Sequence, residues 1–246
     1  MTEIAPGVAI LPTLIANAYL IGDPDSWVLV DACTPKHEKM IQRATQRRFG
    51  RGSRPRAILL THGHFDHCGS AAGLADAWSV PIYAHALEVP YVIGASQYPP
   101  FHLNSPGFFT RMARYFPVST VDLGKRVRAF DPKEALPGLP DWEIIETPGH
   151  TPGHVAFFRR PDAVLLAGDA VTTMNLDSFW DTILKRKQVC RPPVPATSDW
   201  GAARSSVERL AALRPSLIAA GHGSPIHGAA DELATLAAHF QAPIGV

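Results

Sequence analysis

The segment His62-Gly63-His64-Phe65-Asp66-His67 constrains this chain more than any other feature of its sequence. Four potential metal ligands fall within six residues, directly after an apolar run that predicts a buried strand, RAILL. In an extended segment His62 and His64 point the same way, because side chains alternate with a period of two. A turn at Asp66 and His67 then presents the next pair from a different direction. The segment therefore predicts a loop that can hold two neighbouring metal ions.

Three further candidate ligands stand at the ends of predicted strands. His150 follows the strand-like run WEIIET, Asp169 ends AVLLAGD, and His222 ends SLIAAGH. Each residue alone would be an ordinary cap or turn residue. Together, and in this order after the histidine segment, they extend the predicted metal site. Imidazole nitrogens and carboxylate oxygens reach zinc at about 2.0–2.2 Å, so such short loops can supply its ligands.

Strand-like runs alternate with helix-like stretches along the chain and predict an α/β fold. Two strand-rich halves with helices between them fit a sandwich of sheets whose outer faces are covered by helices. Residues 35–49 predict a helix, and the last helix is expected to bury Leu233, Leu236, Ala237 and Phe240. We expect a single domain over residues 1–246, with insertions near 87–120 and 173–198 that fit the pattern poorly.

Composition restricts the function classes. The formal net charge is +1, so the chain as a whole has no excess of positive charge that would attract nucleic acid or an anionic membrane. The N-terminal residues do not resemble a signal peptide, and no apolar stretch is long enough to span a bilayer. Three cysteines are an odd count that suggests a reducing compartment rather than a disulfide framework, with the cytoplasm as the default. We expect a small molecule as the substrate, and a homodimer is left open.

The motifs together resemble a known family. HGHFDH, PGHT, GDA and GHG, preceded by LVDAC, are similar to the five-motif signature of the metallo-β-lactamase superfamily, from about Asn17 to about Pro225. The resemblance implies a four-layer αββα sandwich. It implies that one metal is held by His62, His64 and His150, that a second is held by Asp66, His67 and His222, and that Asp169 bridges them. Asp31 resembles the acid that supports a metal ligand, although a solvent-facing turn residue is the alternative.

The implied cofactors are two divalent metal ions. The ligands offer only nitrogen and oxygen atoms, which suits zinc and does not exclude iron or manganese. Flavodiiron proteins resemble this pattern with an acidic residue at the position of His64, which favours zinc here. Two such ions can share a hydroxide that attacks the carbonyl of an ester, lactone or thioester. Asp66 is the candidate for moving a proton to the leaving group.

Several branches of the superfamily fit less well. True β-lactamases of this fold lack the bridging acid that Asp169 resembles. Glyoxalase II enzymes carry a C-terminal helical domain, and they and the persulfide dioxygenases show a GRxD segment that is replaced here by residues 172–175, TTMN. The segment PGHTPGH resembles the lactonase-like branch. The alternatives are a mononuclear iron persulfide dioxygenase and a metal-binding protein without catalytic activity.

The segment 87–120 is unusually aromatic. Phe108, Phe109, Tyr115 and Phe116 fall within nine residues. Grouped apolar side chains must bury against the protein's own core, a substrate or a second subunit. We expect a wall or lid that accepts an apolar substrate, and a dimer contact made by the same segment is compatible with that role. A core role is the alternative.

Overall fold

The computed structural model describes residues 1–117, 122–131 and 135–243, which divide into two compact units. The first unit comprises Met1–Gln97 and Ser119–Trp142, and the second comprises Tyr98–Val118 and Glu143–Val246. The expectation of one domain with two insertions stays a prediction, and residues 118–120 of the first insertion lie outside the described residues. Within the described ranges, no helix combines the length and the apolar character needed to cross a bilayer.

The first unit is built on one sheet. Its described strands follow chain order across the sheet: β1 (Thr2–Ala5), β2 (Val8–Pro12), β3 (Asn17–Gly22), β4 (Trp27–Val30), β5 (Ile58–Leu59), β6 (Ile82–Ala84) and β7 (Val127–Ala129). Pairing is antiparallel from β1 to β4 and parallel from β4 to β7. Parallel neighbours need crossovers, which are largely helical here: α1 (Glu38–Phe49), α2 (Phe65–Cys68), α3 (Ala71–Trp78) and α4 (Val89–Val92).

Helices α1 and α3 pack on this sheet. Ile41 of α1 and Leu74 of α3 belong to one buried apolar cluster with Leu20 and Leu29 of the strands. Trp27 stacks on a ring of α1, that of Phe49, with ring centroids 4.6 Å apart. Burial of apolar surface stabilises such a layer by about 25 cal/mol for each Å² that is removed from water.

Helix α1 begins three residues later than the sequence predicts. Lys36 adopts φ 72°, which lies outside the right-handed helical region and prevents a helix from starting at Pro35. The Oγ of Ser70 accepts a hydrogen bond from the backbone N–H of His37 at 2.9 Å, which fixes the chain just before the helix.

The second unit is built on the other described sheet. Its strands are β8 (Trp142–Glu146, in this unit from Glu143 onward), β9 (Val155–Arg159), β10 (Val164–Gly168), β11 (Leu217–Ala220) and β12 (Ile226–His227), in the spatial order β12-β11-β10-β9-β8. Strands β10 and β11 are parallel. The helices of this unit are α5 (Phe108–Ala113), α6 (Phe179–Leu184), α7 (Trp200–Ala212) and α8 (Ala230–Ala238).

Helices α7 and α8 pack on the second sheet. Val207 and Leu210 of α7 and Leu233 of α8 share a buried cluster with Leu165 and Ile218 of the strands. The expected burial of the last helix holds for Leu233 and Ala237, while Leu236 is only half-buried and Phe240 is buried just beyond the helix end. Two sheets, each covered by helices, confirm the predicted α/β class.

Candidate metal centre

The first group of predicted ligands lies at the carboxyl ends of two neighbouring parallel strands. Val30 of β4 pairs with Leu59 of β5, so Asp31 and Thr61 follow the strands side by side. The carboxylate of Asp31 accepts hydrogen bonds from the backbone N–H and the hydroxyl of Thr61, at 2.9 and 2.8 Å. Asp31 is buried, which contradicts the alternative of a solvent-facing turn residue.

His62 and His64 lie together on the loop after β5. Nε2 of His62 is 3.0 Å from Nδ1 of His64, and both side chains are buried. On the other side of the His62 ring, Nδ1 contacts the hydroxyl of Thr61 at 3.0 Å, which orients the ring. Glu88 also holds this loop, because its buried carboxylate accepts a hydrogen bond from the N–H of Gly63 at 2.9 Å.

Asp66 and His67 are presented by the short helix α2. Both side chains are buried, and their ligand atoms lie within 4.8 Å of each other. Nδ1 of His67 contacts the carboxylate of Asp31 at 2.8 Å, so the opposite nitrogen, Nε2, points away from Asp31. The ring of His67 lies 4.2 Å from that of His62, centroid to centroid. The four residues of the histidine segment are thus brought together.

The thiol of Cys33 takes no charge in this environment. Burial raises its pKa to about 12, and the negative charges of Asp31 and Asp66 add to the effect. A neutral, buried thiol is a poor nucleophile.

The second group of predicted ligands lies at the ends of β10 and β11. Because these strands are parallel neighbours, Asp169 and His222 emerge at the same edge of the sheet. Nε2 of His222 is 3.1 Å from Oδ2 of Asp169, and both residues are buried. The backbone carbonyl of His222 accepts hydrogen bonds from the N–H and the hydroxyl of Thr173, each at 3.0 Å.

His150 joins the same carboxylate. Its Nε2 lies 3.5 Å from Oδ2 of Asp169, and its Nδ1 contacts the hydroxyl of Thr197 at 3.3 Å. The preceding Gly149 has φ 131°, and a Cβ there would meet the backbone nitrogen of Ala203 at 2.3 Å. Only glycine therefore allows the loop to approach α7 closely enough to place His150.

These spacings fit metal coordination. Two ligand atoms bound at about 2.0–2.1 Å to one tetrahedral zinc ion lie about 3.3 Å apart. The observed separations are 3.0 Å for His62 and His64, 3.1 Å for His222 and Asp169, and 3.5 Å for His150 and Asp169. Unprotonated imidazole nitrogens and carboxylate oxygens repel at such distances unless a proton or a cation lies between them. The donor sets therefore suit bound cations.

The structure adds positioning residues that the sequence did not single out as such. His154 is buried and accepts a hydrogen bond from the N–H of Asp169 at 2.9 Å through Nε2. Its Nδ1 contacts the hydroxyl of Thr147 at 2.7 Å. Glu88 and Thr197 hold the two ligand loops in a comparable way. The repeated histidine in PGHTPGH was the only local signal for any of them.

One aromatic residue of segment 87–120 lies beside a predicted ligand. The ring centroid of Phe109 is 6.1 Å from that of His222 and 5.6 Å from that of Phe116. Phe108 instead turns to Phe179, with centroids 5.1 Å apart. Tyr115 is 82% exposed, so a pure core role for the segment does not account for it.

Comparisons with known proteins agree with a metal-binding site in this chain. The model of the metallo-beta-lactamase superfamily matches residues 11–222. The probable metallo-hydrolase YflN of Bacillus subtilis is 40% identical over 230 residues, which are 92% of this chain and 87% of that protein. The hydroxyacylglutathione hydrolase GloC of Haemophilus influenzae is 27% identical over 63% of this chain and 66% of its own length.

Solved structures show the same fold. A di-iron-bound form of TTHA1623 is 28% identical, with a TM-score of 0.59, over 91% of this chain and 96% of that one. The metallo-beta-lactamase family protein TTHA1429 from Thermus thermophilus has a TM-score of 0.67 at 23% identity, over 97% and 80% of the two chains. The chain therefore belongs to the metallo-beta-lactamase superfamily, and it is a metal-dependent hydrolase of that superfamily.

Proposed function

We propose that this protein is a dinuclear hydrolase that cleaves a small ester, lactone or thioester. In this proposal His62, His64 and His150 hold one ion, Asp66, His67 and His222 hold the other, and Asp169 bridges the two. All seven residues are among those able to contribute a ligand atom to a metal site. Zinc is the proposed metal because the ligands are nitrogen and oxygen atoms in short, buried loops.

The observation that carries the proposal is the orientation of the histidine rings. Nδ1 of His62, His67 and His150 contacts Thr61, Asp31 and Thr197, respectively. Each contact fixes a ring plane, so that Nε2 becomes the nitrogen available for coordination. Metal-binding histidines generally depend on such a partner at the second nitrogen, and simple surface histidines do not need one.

Two bound divalent ions would polarise the substrate carbonyl and lower the pKa of water to near neutrality. The protein's own residues then have three tasks. The imidazoles and Asp169 would hold the positive charge of the ions in a fixed place, so that charged groups need not reorganise as the transition state forms. The carboxylate of Asp66 accepts a proton from the attacking water and passes it to the leaving group. His154 holds the backbone of Asp169 in place, and its contribution is that of a positioning residue.

The aromatic residues near His222 support the proposed class of substrate. Phe109 and Phe116 offer an apolar wall beside one proposed ligand. We propose that this wall contacts an acyl chain or another apolar part of the substrate. The similarity to a hydroxyacylglutathione hydrolase supports the inclusion of thioesters among the candidate substrates. The free state of all three cysteines supports a reducing compartment such as the cytoplasm.

The experiment that tests the proposal is hydrolysis of a matched panel by metal-loaded enzyme. The panel contains lactones, thioesters and aryl esters, each with a short and a long acyl chain. We expect turnover that is lost after chelation and restored by zinc. The variant Asp66→Asn should lose kcat, while Asp25→Asn, an exposed turn residue, serves as the control with unchanged activity.

Iron must be included in the reconstitution, since TTHA1623 binds two iron ions. Zinc-loaded enzyme that hydrolyses members of the panel supports the proposal. Oxygen consumption with a persulfide substrate, dependent on iron and without hydrolysis of any panel member, would assign the dioxygenase alternative instead.

A further inference from the structure

Helix α6 turns its apolar face to solvent. Phe179, Trp180, Ile183 and Leu184 are 46%, 66%, 57% and 57% exposed. Their spacing of i, i+1, i+4 and i+5 places them on one side of the helix. A surface helix of a globular protein normally buries its apolar stripe against the core. The orientation of α6 is the reverse of that arrangement.

The polar side of α6 explains why the helix stays in this orientation. The hydroxyl of Thr182 donates hydrogen bonds to the backbone carbonyls of Ser178 and Asn175, at 2.8 and 3.2 Å. The amide of Asn175 donates to the carboxylate of Asp181 at 3.4 Å, and Ser178 caps the first turn by accepting from the N–H of Asp181. The polar groups are thus engaged with the preceding loop, and the apolar groups are left outside.

Helix α5 continues the same surface. Phe108 contacts Phe179 edge to face, which joins the two helices. Met112 of α5 and Tyr115, which lies in the turn just after that helix, are 38% and 82% exposed. We call this region the α5–α6 surface: Met112, Tyr115, Phe179, Trp180, Ile183 and Leu184. In the described part of the second unit it includes all the large apolar side chains that are exposed. Such concentration marks an interaction surface, whereas single exposed apolar residues are ordinary.

Basic residues are concentrated in the two segments that carry this surface. Residues 107–117 and 175–191 contain six basic and two acidic residues, a net charge of +4 (six minus two) in a chain whose total is +1. Both acidic residues form ion pairs within their own segment: Asp177 pairs with Arg191 at 2.9 Å, and Asp181 pairs with Arg186 at 3.3 Å. The basic residues are Arg111, Arg114, Lys185, Arg186, Lys187 and Arg191, all of them exposed except Arg191.

We propose that the α5–α6 surface binds the interface of an anionic lipid bilayer. Trp180 and Tyr115 suit the headgroup level, Ile183 and Leu184 can enter the acyl boundary, and lysine and arginine can meet lipid phosphates. Apolar insertion and basic attraction together provide the two contributions that stable peripheral binding requires. The earlier expectation of no membrane partner rested on the net charge of the whole chain, which averages out this local excess.

A second copy of the chain fits this surface less well. In a two-fold dimer the same patch meets itself, so the basic residues of one copy would face those of the other. Like charges opposed across an interface cost binding energy. An anionic bilayer offers the opposite charge and an apolar layer beneath it.

The test is co-sedimentation of the metal-loaded protein with lipid vesicles. We expect binding to vesicles of phosphatidylcholine with phosphatidylglycerol, weaker binding at high salt, and little binding to pure phosphatidylcholine. Ile183→Asp should remove the binding. The pair Lys185→Asn and Lys187→Gln should weaken it by about 25-fold, since each cation near the surface contributes about fivefold. Asparagine is chosen for Lys185 because it tolerates the φ of 49° found there.

Leu14→Asp is the matched control, because Leu14 is 95% exposed and lies in the first unit. It should bind vesicles like the unmodified protein. Circular dichroism and metal content should be unchanged in every variant, since the replaced side chains are exposed. No binding by the unmodified protein, or equal binding by Ile183→Asp, would overturn the proposal. Dimerisation that Ile183→Asp removes, without vesicle binding, would assign the surface to a second copy and would overturn it as well.

Discussion

The carboxylate of Asp31 lies 2.8 Å from Nδ1 of His67, and both side chains are almost fully buried. Asp31 directly follows strand β4 and His67 lies on helix α2, so the contact joins two residues that are 36 positions apart in the sequence. The same carboxylate also accepts two hydrogen bonds from Thr61. Asp31 therefore organises the loop that carries the predicted ligands.

Asp31→Asn should lower metal affinity about 10–100-fold, because partners of metal-binding histidines typically contribute that much. Asparagine is the suitable replacement because Asp31 has φ 57°, which asparagine tolerates and alanine does not. Alanine would add backbone strain of about 1–2 kcal/mol to the loss of the contact. The measurement is zinc affinity by competition with a chromogenic chelator. Unchanged affinity in Asp31→Asn would show that the contact has no influence on the site.

Asp169→Asn should lower metal content and kcat more than Asp31→Asn does. In the proposed site Asp169 contacts both ions, whereas Asp31 orients a single ligand. We therefore expect the Asp169 variant to lose most of its metal and its kcat together. Metal content and kcat of the two variants, measured side by side, check this order. Equal losses would mean that Asp169 does not bridge.

Phe109→Ala should raise KM for substrates with a long acyl chain and leave metal content intact. The ring lies beside His222, so its removal takes away apolar contact without removing a ligand. Phe108→Ala is the matched control, because Phe108 is equally half-buried but contacts Phe179 instead. A substrate without an acyl chain should respond to neither change. If both variants raise KM equally for long and short substrates, the wall does not bind the chain.

Cys190 should react slowly with iodoacetamide at neutral pH although it is partly exposed. Burial, followed by the negative charge of Asp177, raises its pKa to about 11. An ordinary thiol has a pKa of about 8.5, so at a given pH the thiolate fraction is lower by a factor on the order of 100 or more. The rate should rise about tenfold per pH unit as pH increases towards that pKa. Mass spectrometry of the labelled peptide measures it, and rapid labelling at neutral pH would contradict the raised pKa.

The sequence predicted well what is coded locally. The histidine segment and the strand-end residues Asp169 and His222 follow buried strands, and a strand that ends at a sheet edge places its next residues there. The α/β class followed from the same alternation of runs. The start of α1 was wrong by three residues, because the conformation of Lys36 is not visible in a hydrophobic pattern.

Long-range positioning was harder to predict. Gly63 and Glu88 are separated by 25 residues, and His150 and Thr197 by 47. A single buried polar residue leaves no periodic signal, so such partners emerge only once the chain is folded. The outward face of α6 was missed for a related reason. Phe179 and Trp180 lie on a helix of six residues, and the sequence offers no means of telling which side of so short a helix is buried.

The most direct test of the central claim is metal content, measured by inductively coupled plasma mass spectrometry on protein purified without chelator. We expect about two ions per chain, the stoichiometry of a two-metal site. His67→Gln and His222→Gln should each lower it to about one, because neither residue is proposed to hold the first ion. His239→Gln, which changes an exposed histidine, should leave it at about two. A value fixed near one in the unmodified protein, and not raised by added zinc, would contradict the dinuclear assignment.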